Sequence, residues 1–181
     1  KALGIDTIIA VTGDPSASKA DEITSTVGDL NVFELMAMAR DSDLYTGAVL
    51  DFRPEVNGLE HEVKRLEKKV ASGCQFIVTQ PVYDEKTAKK IHRATSHLNV
   101  PVMMGILPLL SHKHAVFLHN KVDGIAVPES LRQGMKKAKD PVKEGVLQAK
   151  RMLELARQLY SGACIMPPFD RFDILKDILI D

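Results

Sequence analysis

Neither sign of charge predominates in this chain, because 24 Lys and Arg stand against 24 Asp and Glu. Without a net field, nothing steers it toward nucleic acid or an anionic membrane surface. The basic stretch 132–139 (RQGMKKAK) reads as a solvated face. Cysteine is scarce: Cys74 and Cys164 show neither metal nor redox spacing, and both read as core thiols. No apolar run approaches the roughly 18 residues that a bilayer-crossing helix needs. No GxGxxG follows an apolar run, which disfavours a dinucleotide-binding Rossmann sheet, and a GxxxxGK phosphate loop is missing as well. His112 and His114 lie two residues apart, on different sides of a helix, so they make no metal pair.

What is present is a globular balance, 45% apolar and 27% charged over 181 residues, enough for one domain with its own core. Five short runs rich in Val and Ile read as buried parallel strands: 7–12 (TIIAVT), 46–51 (TGAVLD), 75–79 (QFIVT), 102–107 (VMMGIL) and 163–166 (ACIM). A shorter run, 124–127 (GIAV), is a sixth candidate. Helical patterns alternate with them. Asn31 can cap 31–40, and Leu59, Val63, Leu66 and Val70 form one helical stripe within 59–72. Further helices are expected over 84–97, over 141–160 with Pro141 in the first turn, and over 173–179.

Strands and helices alternating in this way predict βαβ units and a parallel sheet. A (β/α)8 barrel accounts better than an open sheet for strands that end in a polar residue followed by Pro or Gly. A whole barrel needs eight strands and roughly 250 residues. The fold class expected is therefore α/β, an incomplete (β/α)8 TIM barrel whose N-terminal two or three units are missing, with residues 1–181 its C-terminal part. The opening Lys1-Ala2-Leu3-Gly4-Ile5-Asp6 agrees with this, because it reads as a last helical turn closed by Gly4.

In a barrel the working residues follow the strands. After the first come Thr12, Gly13, Asp14 and Pro15; Gly13 lets backbone approach a ligand, and Asp14 either presents a carboxylate or starts a turn. After the second, Arg53 can grip an anion with its planar fork or pair with Glu55. After the third, the Gln80 amide can both donate and accept against a flat heterocycle, or satisfy loop backbone. The fourth leads into Pro108 and His112-Lys113-His114. The fifth leads into Pro167-Pro168-Phe169-Asp170-Arg171, where Arg171 can bind an anion and Asp170 can cap the final helix.

Four segments taken in order, VTGDPS, KRLEKKVASGCQFIVTQPVYD, MGILPL and PPFDRF, resemble methylenetetrahydrofolate reductase of the bacterial type, including the form fused to a homocysteine S-methyltransferase domain. The resemblance spans essentially the whole chain. It implies a cytoplasmic, homo-oligomeric flavoprotein barrel of one-carbon metabolism and methionine biosynthesis. Such a barrel holds FAD and takes hydride from NADH or NADPH to reduce 5,10-methylenetetrahydrofolate to 5-methyltetrahydrofolate.

Residue by residue, the resemblance puts Val11, Thr12, Gly13 and Asp14 beside the flavin, with Asp14 also facing the folate as the catalytic carboxylate. Arg53 falls at a flavin-contacting position that is often His. Glu62, Arg65 and Lys69 fall on the helix that contacts the ADP portion, and only Lys69 matches in type. Gln80 matches the residue that hydrogen-bonds the pterin. His112 stands where an aromatic side chain commonly stacks, and Phe169 and Arg171 match substrate-side positions. The family's general acid, a glutamate near the first barrel strand, has no counterpart in these residues, so this chain alone is expected to be inactive. Two other readings compete: a non-redox pterin-binding methyltransferase barrel, and a non-catalytic assembly domain.

Overall fold

In the computed structural model, which describes residues 2–12, 29–51 and 58–180, strands and helices alternate along most of the chain. The strands are β1 (Thr7–Ala10), β2 (Tyr45–Leu50), β3 (Phe76–Pro81), β4 (Val102–Ile106) and β5 (Gly162–Ile165). The helices are α1 (Val32–Asp41), α2 (Gly58–Ala71), α3 (Glu85–Thr95), α4 (His112–Lys121), α5 (Glu129–Lys137), α6 (Pro141–Leu159) and α7 (Asp173–Leu179). All neighbouring strands pair in parallel, in the order β1-β2-β3-β4-β5. Chain order without reversal is what a (β/α)8 barrel requires, whereas a doubly wound sheet reverses at a switch point. The fold is α/β, of the TIM-barrel type.

Local chemistry explains where the helices start. Asn31 Oδ1 accepts from the N–H groups of Phe33 and Glu34, while Glu34 Oε2 accepts from Asn31 N–H at 2.8 Å, a reciprocal cap. Asp84 caps α3 through Thr87 N–H, and Asp140 caps α6 ahead of Pro141. The stripe on α2 buries Leu59, Val63 and Leu66 as its spacing predicts. Gly4 takes the left-handed conformation expected of it, at φ 74°.

The helices cover one face of the sheet. Ala10, Ala48, Leu50, Ile77, Met104 and Ile106 pack there with Met36, Leu66, Ile91 and Met152 in the main core. Strand parity sends Ile9, Tyr45, Phe76, Val78 and Met103 to the opposite face. Cys74 is a core thiol, while Cys164 is only half-buried.

Three expectations change. The apolar run 124–127 is not a strand, and β4 pairs directly with β5. Ile125 and Val127 instead enter a second, smaller core with Tyr83, Leu109, Leu118 and Met135 beneath α4 and α5. The run is apolar because it is buried there, without any ladder. Helices α4 and α5 had no counterpart in the sequence reading. Lastly, Asp170 does not cap α7, whose N-cap position is Phe172 without a side-chain bond.

Candidate functional site

The C-terminal end of β3 carries an irregularity that sets the surroundings of Gln80. Val78 pairs with Met103, yet Pro81 pairs with Gly105, so three residues oppose two. This is a β-bulge, a device that re-aims side chains at strand ends. Pro81 has no N–H to offer a ladder. The Thr79 hydroxyl fills in, accepting from Gly105 N–H at 2.9 Å and donating to the Gln80 carbonyl at 2.8 Å. Position 105 must be glycine, because a Cβ there would lie 2.3 Å from the Thr79 carbonyl oxygen. Among the described residues the half-buried Gln80 amide has no hydrogen-bond partner, which leaves its donors and acceptor open to a ligand.

Buried groups tie the next loop to this strand end. Tyr83 donates its O–H to the Leu107 carbonyl at 3.0 Å, and Gln148 on α6 donates to the Tyr83 carbonyl at 3.2 Å. Burial pushes the Tyr83 phenol far above its ordinary value, so it stays protonated as a donor. At the start of α4, Ser111 caps His114 N–H, and His114 Nδ1 accepts from Leu110 N–H at 3.3 Å. That bond assigns the neutral Nε2–H tautomer, and burial holds the imidazole below the usual histidine range.

The loop after β5 closes on the same place. The Phe169 ring stands 5.2 Å from the His114 ring at a 60° tilt. Phe169 and the following Asp170 both adopt left-handed backbone, φ 53° and 56°. For residues other than glycine this costs roughly 1–2 kcal/mol each. Arg171 spends its fork on Asp173, with Nε and Nη2 donating to the two carboxylate oxygens at 2.8 and 2.7 Å. The pair is solvent-facing, so it is a weak tie that an anionic ligand can displace.

A family pattern described as "Methylenetetrahydrofolate reductase" matches residues 1–165. The chain belongs to the methylenetetrahydrofolate reductase family. Among solved structures it is similar to one described as "Uncharacterized protein from Clostridium thermocellum binds two copies of 5-methyl-5,6,7,8-tetrahydrofolic acid". The likeness has 22% identity and a TM-score of 0.59, and covers 82% of this chain and 56% of that one. The chain thus spans little more than half the length of that neighbour.

The reductase family uses a flavin, and the described residues that would meet one are mixed in their fit. Gly13, Asp14 and Arg53 lie outside the described residues. Val11 and Thr12 directly follow β1 and are exposed. Ile9 and Val11 share one sheet face and are 45% and 56% exposed, an apolar surface that a flat ring system would cover. On this side the residues fit the flavin ring.

The ADP side differs. Glu62 and Lys69 on α2 are 4% and 6% exposed, and Lys69 Nζ donates to the Val49 carbonyl of β2 at 2.8 Å. Burial, foremost, and the Arg65 charge lower the Lys69 pKa. The Arg65 guanidinium lies 5.8 Å from the Phe33 ring centre on α1. In this arrangement one donor of the Lys69 ammonium serves the β2–α2 packing.

His112 is half-buried and does not stack on Phe169. The ring that does is His114, which the sequence reading considered only as an unlikely metal partner. The signal available for it was SHKH: a Ser N-cap followed three residues later by His. Tyr83 and Gln148 were also missed, since nothing local shows that they meet the loop after β4.

Proposed function

We propose that residues 1–181 form the C-terminal part of a flavin-dependent barrel that reduces 5,10-methylenetetrahydrofolate to 5-methyltetrahydrofolate with NADH or NADPH. The observation that carries this reading is the family match, which runs through every strand to Ile165. FAD, when bound, supplies the hydride relay between nicotinamide and folate. Val11, Thr12 and Gly13 border its ring, and Arg53 reaches its polar edge. Gln80 hydrogen-bonds the pterin through an amide that the described protein leaves open. Asp14 stabilises the positive charge that develops when the folate ring opens, in a site from which water is largely excluded. Phe169 and Arg171 lie on the substrate side. The same reading makes the protein cytoplasmic and homo-oligomeric. Among the described residues no helix is long and apolar enough to cross a membrane.

A visible spectrum of the purified protein tests the class, and Gln80→Glu tests the site. A flavin spectrum is expected. In stopped flow the variant should lose about tenfold or more in oxidation by folate, because a carboxylate cannot donate where the amide does, while flavin reduction by the nicotinamide changes little. A colourless protein that still binds folate would point to the non-redox pterin-binding barrel instead. Equal losses in both half-reactions would remove Gln80 as a folate contact.

A further inference from the structure

The helix layer carries a feature that neither the fold nor the proposed reaction uses. An open groove of about 1410 Å³ runs between α2 and α3. Its α3 wall presents Lys86, Lys89, Lys90 and Arg93. Its floor is apolar at Leu59 and Val63 of α2 and at Ala94 of α3. Glu60 and Glu85 also line it, but Glu60 is held by Lys64 and Glu85 by Lys89. The side chains of Lys86 and Arg93 have no ion pair or hydrogen bond among the described residues.

These cations do not serve α3 itself. Lys86 and Lys90 stand four residues apart, as do Lys89 and Arg93, and like charges at that spacing weaken a helix. Burial of Ala88, Ile91 and Thr95 is what holds α3 to the rest of the fold. In a chain without net charge, one sign gathered along a concave wall is a local field that steers a partner of the opposite sign. Glu62, Arg65 and Lys69, the α2 positions that the resemblance assigns to a cofactor, do not line the groove, and Arg65 faces Phe33 of α1 instead.

We propose that this groove docks an acidic amphipathic helix of a partner protein, its carboxylates along Lys86 and Arg93 and its apolar face on Leu59, Val63 and Ala94. Lys86 and Arg93 lie about 10 Å apart along α3, which matches carboxylates two turns apart on a docked helix. Both are exposed, and each exposed ion pair is weak and screened by salt. A lone phosphate or carboxylate therefore gains little, while a row of carboxylates on one helix adds several such pairs. No aromatic ring among the described residues lines the groove for a nucleotide base to stack on. A concave floor between two helices does not match a flat membrane.

The probe is a synthetic, fluorescently labelled helical peptide with Leu along one face and Glu on the others, titrated with the purified protein by anisotropy. It should bind, more weakly as salt rises, while versions with Lys for Glu or Ser for Leu should not. Lys86→Glu together with Arg93→Glu should weaken binding about tenfold or more, as expected when two exposed pairs turn repulsive. Lys86→Arg with Arg93→Lys, which keeps the charges, should bind as the wild type does. Lys136→Glu with Lys137→Glu removes as much positive charge from α5 and should change the Kd about twofold or less. All four side chains are exposed, so thermal midpoints should hold. Equal losses from the α3 and α5 reversals would overturn the proposal, since charge alone would then hold the peptide anywhere. So would a peptide that does not bind, or a protein that self-associates until the α3 reversal makes it monomeric, because the occupant would then be a second copy.

Discussion

At Thr79 one hydroxyl does the work of two backbone groups, bonding Gly105 N–H and the Gln80 carbonyl across a bulge where Pro81 offers no N–H. Buried donors and acceptors left unmatched cost about 1–3 kcal/mol each, so such a hydroxyl holds the strand end in one shape. His114 shows the same economy, one nitrogen spent on Leu110 and the ring spent on Phe169. Its depressed pKa has a consequence for stability. In the unfolded chain the imidazole titrates near 6.5. As pH falls through that value the unfolded state takes up a proton that the folded site resists, so the unfolded state binds more protons and stability falls. The loss levels off once pH is below the depressed native value. Urea midpoints should therefore drop between pH 7 and 5, and His114→Leu should drop less over the same interval. Parallel curves for the two proteins would show that burial of His114 does not drive the acid limb.

Packing between elements depends on close approach at a few positions. Gly145 in α6 sits against the loop after β4, where an added Cβ would lie 1.7 Å from the Leu109 carbonyl oxygen. Backbone cannot yield there without moving α6 or the loop that leads to His112 and His114. Gly145→Ala should therefore destabilise the protein by about 3 kcal/mol, overpacking outweighing the roughly 1 kcal/mol that alanine adds to a helix interior. Denaturant unfolding measures this, and an unchanged or raised midpoint would mean that α6 does not bear on the loop. Elements also explain the misread run 124–127. Periodicity identifies burial, but a four-residue apolar run is buried equally well in a strand or beneath two helices. Ile125 and Val127 take the second course, beneath α4 and α5.

At the scale of the molecule, the described sheet has β1 and β5 at its two ends, each with a neighbour on one side only. β3 lies at the centre, bonded on both sides and buried along most of its length. Amide hydrogen exchange should be slowest in β3 and fastest in β1 and β5, because edge strands open without disturbing the rest. Slow exchange at both edges, matching β3, would show that another strand covers them. Balanced charge adds that no large single-sign field acts on folding or encounter.

The sequence by itself determined the five described strands, five of the seven described helices and the strand ends where chemistry would be sought. Asn31 with Glu34, Asp140 with Pro141, and the α2 stripe act within a few residues, so their signals survive in one dimension. The segments VTGDPS, KRLEKKVASGCQFIVTQPVYD and MGILPL, inside the matched residues 1–165, and PPFDRF beyond them carried the resemblance for the same reason, each being a run local in the chain. Tertiary structure alone decided which side chains meet. Lys69 was legible as a cation but not as the buried donor to Val49, twenty residues back. The His114 ring meets Phe169 only when α4 and the loop after β5 are brought together, and Tyr83 joins Leu107 and Gln148 only when β3, β4 and α6 are packed. Contacts between residues distant in the chain depend on how elements are packed, and no local spacing encodes that.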